Sequence, residues 1–268
     1  EMCIRDRATA GQENVAEDKL GILEPLRASL VLAQAGASYM TGLIGNVSIP
    51  VYSGSNVGWA GEVAAASDGA GTFSEVNLEP KRLTAYIDVS KQFLIQDSNS
   101  AEEMLKRDIV AAISNKLEAT ILGTAAGSAT QPAGMLNGVT ADTAAVTYAD
   151  FVNMEATLGE KNVRGDIKFI VSPSAKAVLK STAKNQNSFI MEGNEVNGYP
   201  VLCTSAVAGK GIVYGNFADL VIGQWGGIDL TVDPYTQAAN GKVRLVINAY
   251  FDAKPRRAEA FVKKVLKA

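Results

Sequence analysis

The sequence has 268 residues, with 25 Lys and Arg against 28 Asp and Glu, two Cys and no His. Without histidine there is no Ser-His-Asp or Cys-His nucleophile and no His-containing zinc site. Two cysteines cannot build a four-cysteine metal site or a disulfide framework, so the composition fits a reducing compartment. A single disulfide between the two cysteines is not excluded by the composition. A net charge of −3 argues against a protein built to bind DNA tightly through its phosphates.

The chain contains no run of about 18 apolar residues, so we predict no membrane-spanning helix. Its hydrophobic fraction of 47% is that of a globular protein. It begins at Glu1 rather than Met, which we interpret as a processed, truncated or partial sequence.

A glycine-rich stretch from Val51 to Pro80 follows a short predicted strand, Val47 to Val51. It contains four carboxylates and no Lys or Arg. A loop of this length is uncommon in a compact domain and is usually functional. Two interpretations remain open, a solvated mobile loop or an extension that binds another subunit. Trp59 likewise has two interpretations, an interface anchor or a residue that packs back on its own hairpin.

Alternation of apolar and polar residues then predicts a half-buried strand around Leu83 to Val89. The strongest helix pattern follows, from Ala101 to Leu122, about 33 Å long at about 1.5 Å per residue. Ser100 and Glu103 form a capping-box pattern, and Gly123 is a suitable stop. The apolar positions of this helix recur every four residues, at Leu105, Ile109, Ile113, Leu117 and Ile121.

Helix and strand patterns alternate after Tyr148. We predict helices from Tyr148 to Leu158 and from Pro173 to Leu179, a buried strand from Ile167 to Val171, and a polar, mobile segment from Lys184 to Asn194. Asn197-Gly198 and Asn240-Gly241 are typical of type I′ hairpin turns, in which both central residues have positive φ. Further strands are predicted at Tyr199 to Cys203, Gly211 to Tyr214, Leu220 to Ile222, Ile228 to Val232 and Val243 to Tyr250. The last 17 residues are basic, with six Lys and Arg against two acidic residues.

Catalytic motifs are nearly absent. There is no phosphate-binding P-loop and no nucleophile elbow. Ser181 and Lys184 match S-x-x-K, but the motif falls in a polar stretch where the lysine stays solvated and protonated. We therefore predict no enzymatic activity, no cofactor and no metal.

The order of these elements resembles the major capsid proteins of tailed phages of the HK97-like family. The resemblance covers about Pro25 to Lys264. Its segments are Pro25-Leu26-Arg27, Leu43 to Pro50, Trp59-Ala60-Gly61-Glu62, Phe73 to Arg82, Val89 to Leu94, Gln131 to Asn137, Gly198 to Val201 and Asp252 to Phe261.

The resemblance implies an α+β HK97-like capsid fold. It assigns residues 1–47 to an N-terminal arm and 48–89 to an extended β-hairpin loop, the E-loop, with its base strands. Residues 90–144 form a P domain with a long spine helix, and 145–243 an α/β A domain. Residues 244–268 return to the P domain.

The function implied is an icosahedral shell around the double-stranded DNA of a tailed phage. Partners are copies of the chain in hexamers and pentamers, a portal, a scaffold or protease, and packaged DNA through weak non-specific contact. Assembly takes place in the host bacterial cytoplasm. The E-loop lies across a neighbouring subunit, and the residues expected at subunit interfaces are Trp59, Glu62, Glu75, Glu79, Lys81, Arg82 and Lys91.

One departure concerns covalent cross-linking. Some relatives cross-link subunits through a lysine on this loop, but residues 51–80 contain none, so we do not expect it here. Lys81 lies at the base of the loop. Two alternatives remain: an encapsulin-like nanocompartment that encloses enzyme cargo, and an α/β hydrolytic enzyme that uses Ser181 and Lys184.

Overall fold

The computed structural model of the chain describes residues 31–92 and 100–267. The α-helices whose bounds fall within these residues are α1 (Leu32–Ala35), α2 (Ser100–Ile121), α3 (Tyr148–Glu160) and α4 (Pro173–Ser181). The strands are β1 (Ser38–Met40), β2 (Val47–Tyr52), β3 (Phe73–Leu78), β4 (Lys81–Ser90), β5 (Ile167–Val171), β6 (Ala183–Asn185), β7 (Ser188–Phe189), β8 (Glu195–Val196), β9 (Tyr199–Cys203), β10 (Gly211–Asn216), β11 (Leu220–Asp233), β12 (Lys242–Pro255) and β13 (Phe261–Val265).

The first sheet has the strand order β1-β11-β12-β4. β1 runs parallel to β11, and the other two pairs are antiparallel. The two strands predicted at Leu220 to Ile222 and Ile228 to Val232 are one strand, β11, with a register shift between Trp225 and Asp229. Gly226 lies inside this irregularity at φ +66°, a conformation that glycine adopts without a steric penalty.

Helix α2 packs on one face of this sheet. Ile109 and Ile113 are buried and cluster with Ile247 and Ala249 of β12. The four-residue apolar spacing is therefore confirmed as the buried stripe of the helix. The predicted capping box of Ser100 and Glu103 lies outside the side chains that the structure describes.

The second sheet has the order β13-β10-β5-β9-β8. Its core contains the rings of Phe169 and Tyr214, stacked with centroids 4.1 Å apart, together with Phe151 of α3 and Leu179 of α4. The predicted start of α4 is confirmed, because Pro173 is its first residue and the Ser172 hydroxyl caps it by accepting the Ala175 amide at 3.1 Å.

The C-terminal residues divide between the two sheets. β12 crosses the first sheet, whereas β13 pairs antiparallel with β10 in the second. β11, expected in the A domain, lies in the first sheet. The sheets therefore do not follow the boundaries predicted at 145–243 and 244–268, because strand pairing joins segments that are distant in sequence.

Two turn predictions have different outcomes. Asn197 and Gly198 both have positive φ, at 53° and 80°, as a type I′ turn requires. Asn240-Gly241 does lie in a hairpin connection, between the antiparallel strands β11 and β12. Its predicted type I′ geometry is wrong, because Asn240 ends a 3₁₀ turn, Ala238–Asn240, and of the two residues Gly241 alone has positive φ. The segment predicted to be mobile forms the short β6–β7 pair. Cys203 carries a free thiol, and Cys3 lies outside the described residues.

None of the helices within residues 31–92 and 100–267 is both long and apolar enough to span a membrane.

A buried carboxylate joins α2 to the start of α1. The Glu118 side chain accepts the Leu32 amide at 2.7 Å, while its second oxygen is buried without a hydrogen-bond partner. Glu118 is only 3% exposed. Burial raises the pKa of this carboxyl, and the backbone amides of Leu32 and Val31 offset part of the effect.

The raised pKa of Glu118 predicts a pH dependence. The folded chain binds this proton more tightly than the unfolded chain does. Protonated Glu118 therefore stabilises the fold at low pH, and this stabilisation is lost as pH rises from the ordinary glutamate pKa of about 4.3 through the raised pKa of the folded chain. Glu118→Gln removes the charge. We expect its melting temperature relative to wild type to increase across that window and then level off, measured by circular dichroism on dilute protein. A difference that stays constant with pH would contradict a buried charge at this position.

Candidate assembly surface

A long β-hairpin extends from the first sheet. β2 and β3 pair in antiparallel register from Val47 opposite Leu78 to Tyr52 opposite Phe73. At the far end of the pair the rings of Tyr52 and Phe73 lie 4.7 Å apart. The predicted strand and the hairpin character of the following stretch are therefore confirmed.

Residues 53–72 form the hairpin loop. Its two sides are joined by hydrogen bonds from Ser53 N to Thr72 O and from Asn56 N to Gly69 O, both 3.0 Å. A Cβ atom on Gly69 would lie only 2.0 Å from the Asn56 carbonyl oxygen, so only glycine permits this close approach. Every residue from 52 to 68 is nevertheless exposed. The hairpin loop is thus a shaped extension rather than part of a core.

Large apolar side chains of the hairpin loop are fully exposed. Val57 and Val63 are each 98% exposed, and Trp59 is 106% exposed. The interpretation that Trp59 packs back on its own hairpin is therefore wrong. Three fully exposed large apolar side chains within seven residues of one loop mark the loop as a candidate interaction site.

The acidic side chains of this region differ in their surroundings. Glu62 is exposed on the loop beside Trp59, and Glu75 accepts the Ser48 hydroxyl at 2.9 Å across the β2–β3 pair. Asp68 accepts the Ala70 amide at 2.9 Å. The hairpin thus combines exposed apolar side chains with negative charge and, from residue 51 to residue 80, has no basic side chain.

The hairpin is held at its base by a set of contacts that we call the root: Gly45, Asn77, Leu78, Glu79, Lys81, Val221, Trp225, Asp252 and Lys254. Its apolar part is a cluster of buried Leu78, Val221 and Trp225. The Trp225 indole donates to the Gly45 carbonyl at 2.6 Å. This contact ties the segment before β2 to the bulged strand β11.

Asp252 is the polar centre of the root. Its carboxylate is 0% exposed and accepts the Glu79 amide at 3.1 Å, the Lys81 ammonium at 3.2 Å and the Ala253 amide at 3.0 Å. Next to it, the Lys254 ammonium donates to the Asn77 carbonyl at 2.6 Å. The chain between β3 and β4 is therefore bound to β12 by charge-assisted hydrogen bonds, which are about twice as strong as neutral ones.

The structure places the residues predicted at subunit interfaces in different surroundings. Lys81, predicted at a subunit interface, forms an ion pair with Asp252 of its own chain, and its side chain is only 10% exposed. Glu79 contributes its amide to the root and Glu75 remains on β3. Arg82 and Lys91 are exposed, on and directly after β4. Trp59 and Glu62 alone of the set lie together on the hairpin loop.

No role was assigned to Asp252 from the sequence, where it was one of two acidic residues in the basic C-terminal segment and the first residue of a segment that carries the resemblance. The available signal is its position in an apolar run, Tyr250-Phe251-Asp252-Ala253. A carboxylate inside a buried strand requires donors. Their identity depends on the pairing of β12 with β4, which brings Lys81 opposite Phe251.

The Ser181–Lys184 pair does not form a nucleophilic site here. The Ser181 hydroxyl donates to the Val178 carbonyl at 3.0 Å, and the Lys184 ammonium lies 4.3 Å from the centroid of the Tyr148 ring. In the part of the chain that the structure describes, no three His, Cys, Asp or Glu side chains are placed to hold a metal ion.

Comparison with known proteins agrees with this arrangement. Residues 19–266 match the model of the phage capsid family. The chain belongs to the phage capsid family. The curated major capsid protein of Halomonas phage phiHAP-1 is 30% identical over 251 residues, which are 89% of this chain and 41% of the relative. The chain thus spans about two fifths of the length of that relative.

Solved capsid structures share the fold. The chain aligns to the capsid protein of a native GTA particle with a TM-score of 0.78 and 17% identity, over 99% of both chains. It aligns to a chain from Gordonia phage Cozz with a TM-score of 0.72 and 14% identity, over 100% of this chain and 99% of that one. The predicted mixed α+β class and the resemblance to HK97-like capsid proteins are confirmed at the level of family and fold.

The root predicts that Asp252 is a major source of stability in this capsid-family fold. Asp252→Asn leaves the Lys81 ammonium without its charged partner, and we expect a loss of about 3 kcal/mol in the free energy of unfolding, measured by urea denaturation. Asp166→Asn is the matched control. It removes an Asp–Lys pair of 2.7 Å in which the Asp166 side chain is 71% exposed, so we expect a loss of less than about 1 kcal/mol. Equal losses for the two variants would contradict the role of the root.

Proposed function

We propose that this chain is a major capsid protein, copies of which close into an icosahedral shell around the double-stranded DNA of a tailed phage. The observation that carries the proposal is the hairpin loop, whose Val57, Trp59 and Val63 side chains are fully exposed. Only a partner molecule can remove this apolar surface from water. Membership of the phage capsid family identifies that partner as another copy of the chain.

Within this proposal, β2, β3 and the hairpin loop are the E-loop. Helix α2 is the spine helix of the P domain, with the first sheet behind it. The second sheet with α3 and α4 is the A domain, and residues 1–47 are the N-terminal arm. Copies associate as hexamers and pentamers, with a portal and a scaffold or protease taking part in assembly. The shell is part of the virion and assembles in the host bacterial cytoplasm.

Weak contact with DNA is consistent with the charge distribution. Although the C-terminal residues are basic, the Lys264 ammonium lies 2.9 Å from both Asp142 and Asp150. Lys254 is likewise bound to a backbone carbonyl. Because these two of the six basic residues are engaged within the chain and the net charge is −3, a shell of such subunits holds its genome by enclosure rather than by strong phosphate binding.

Electron microscopy of the expressed full chain tests the proposal. We expect closed shells of uniform size, and particles from the native source should contain nuclease-resistant double-stranded DNA. Shells that hold a protein cargo and no DNA would favour the nanocompartment instead. A monomer under all assembly conditions would contradict both.

The exposed tryptophan predicts a defect confined to assembly. Trp59→Ala should leave the melting temperature of the free subunit unchanged but raise the protein concentration at which shells form by about tenfold or more, because burial of a large side chain contributes roughly 1.5–3 kcal/mol per contact. Tyr235→Ala is the matched control, since Tyr235 is 85% exposed on the turn after β11.

Light scattering against protein concentration measures shell formation for both variants. A Trp59→Ala subunit that is unstable would show that the loop packs on its own chain. A Trp59→Ala subunit that assembles at the wild-type concentration would remove the loop from the interface.

A further inference from the structure

We propose that a surface around α4 binds the sugar–phosphate backbone of double-stranded DNA. We call this surface the lysine face, and it consists of Lys176, Lys180, Lys184 and Lys210. The inference rests on the proposed function, because it names the surface through which a subunit contacts the packaged DNA. Segregation of charge, the lack of carboxylate partners and the spacing of the lysines support it separately.

The sequence around α4 carries charge of one sign only. Residues 167–191 contain four lysines and no Asp, Glu or Arg. Lys180 and Lys184 are exposed, and Lys176 is half-buried. Because residues four apart lie on the same side of a helix, α4 presents Lys176 and Lys180 together. Lys184 follows on β6, three residues after the helix ends.

Lys210 lies beside the first turn of α4. The Ser174 hydroxyl donates to the Gly209 carbonyl at 3.2 Å, and the Ser172 amide donates to the Gly211 carbonyl at 3.1 Å. These two hydrogen bonds fix the turn that carries Lys210 against the start of the helix. The lysine face therefore extends from this turn along α4 to β6.

No carboxylate neutralises the lysines of this face. Lys176 donates to the Asn194 side chain at 3.3 Å, Lys210 donates to a backbone carbonyl at 3.0 Å, and Lys184 lies over an aromatic ring. Within residues 31–92 and 100–267, none of the four lysines forms an ion pair. All four positive charges are thus available to an anionic partner.

Other lysines of the second sheet show the contrast. The Lys168 ammonium lies 2.7 Å from Asp166, and the Lys264 ammonium lies 2.9 Å from both Asp142 and Asp150. Their charges are offset within the chain. The lysine face differs from them because its charge can attract a polyanion and release counterions from it.

The spacing of the lysines suits a DNA strand. At about 1.5 Å per residue, Lys176 and Lys180 are separated by roughly 6 Å along the axis of α4. Successive phosphates of one DNA strand are about 3.4 Å apart along the duplex axis, so the two lysines match phosphates about two nucleotides apart. Exposed Gln186 and Asn187, in the turn between β6 and β7, add neutral donors of the kind that bind phosphate oxygens.

The lysine face lacks the apolar anchors that protein interfaces use. Its exposed residues between Lys176 and Lys184 are Ala177, Lys180, Ser181 and Ala183. None of these side chains is large and apolar, whereas binding energy between proteins comes mainly from large buried side chains. The face therefore favours a nucleic acid over a second protein.

Two carboxylates limit the face at one end. Glu192 and Glu195 line the same pocket as Lys184. The attraction for phosphate is therefore strongest at Lys176, Lys180 and Lys210. Since these lysines contact phosphates and no base, we expect binding without sequence preference.

Binding of a fluorescent duplex of about 30 base pairs by the full chain tests the lysine face. The protein is kept below the concentration at which shells form, and fluorescence anisotropy gives the association constant from about 50 to about 200 mM salt. Lys180→Gln should weaken binding about fivefold at the lowest salt. It should also reduce the steepness of log K against log salt by about 1, because one phosphate contact is lost.

Lys161→Gln is the matched control. It makes the same change in net charge at a lysine that lies 3.8 Å from Glu259 and is 52% exposed, and we expect less than about a twofold loss. Lys184→Gln is a second variant of the face and should fall between the two. Equal losses for Lys180→Gln and Lys161→Gln, or wild-type binding by Lys180→Gln, would overturn the proposal. Melting temperatures equal to that of wild type confirm that the variants are folded.

Acetylation of lysines in assembled shells tests the contact in place. We expect the Lys180 amine to react more slowly in DNA-filled shells than in the same shells emptied of DNA, as measured by mass spectrometry. Equal reactivity in filled and empty shells would overturn the proposal. Protection in both, relative to the free subunit, would mean that a second copy covers α4 and would overturn it as well.

The outcomes separate this inference from the proposed function. If shells enclose DNA but Lys180→Gln binds the duplex as wild type does, the lysine face is wrong while the capsid function stands. If shells enclose a protein cargo and no DNA, the proposed function is wrong. The anisotropy measurements on the free chain then still determine whether the lysine face binds DNA.

Discussion

A buried carboxylate at the base of a long hairpin determines much of this structure. Asp252 is fully enclosed and accepts the Glu79 amide and the Lys81 ammonium. An unpaired carboxylate in this position would be strongly destabilising, so the three groups must stay together. This requirement connects the end of β3 and the start of β4 to β12. Together with the Trp225–Gly45 hydrogen bond, it determines the direction in which the hairpin leaves the subunit.

The remainder of the molecule supports that hairpin. Helix α2 packs its isoleucines on the first sheet, which makes the sheet rigid behind the root. The second sheet has its own aromatic core around Phe169 and Tyr214 and is joined to the first by the chain between β12 and β13. A rigid base with an exposed apolar extension suits a subunit whose main contacts are with copies of itself. Preorganisation lowers the ordering entropy that each contact must offset.

Local patterns predicted much of the fold. The α2 stripe, the start of α4 at Pro173 and the Asn197-Gly198 turn follow from spacing and turn chemistry within a few residues, and the structure confirms them. Long-range pairing was not predictable in this way. Nothing near Phe261 indicates that β13 pairs with β10, and nothing near Lys81 indicates that Asp252 neutralises it.

The candidate site shows the same division. Trp59 was selected because a tryptophan in a glycine-rich stretch has no local core to enter, and Glu62 was selected with the resemblance to capsid proteins. Both are exposed. Lys81 was selected from its sequence position beside the loop, which does not show that its ammonium is turned inward. Asp252 was not predicted because the burial of a charge depends on tertiary contacts rather than on the residues next to it in the sequence.

Hydrogen exchange of the hairpin loop tests the central claim most directly, because it compares the same amides in free subunits and in assembled shells. We predict fast exchange of the exposed loop amides from residue 57 to residue 63 in the free subunit and strong protection of the same amides after assembly, while the root amide of Glu79 is protected in both states. Protection of the loop that is already complete in the free subunit, or loop amides that remain unprotected in the shell, would contradict the account.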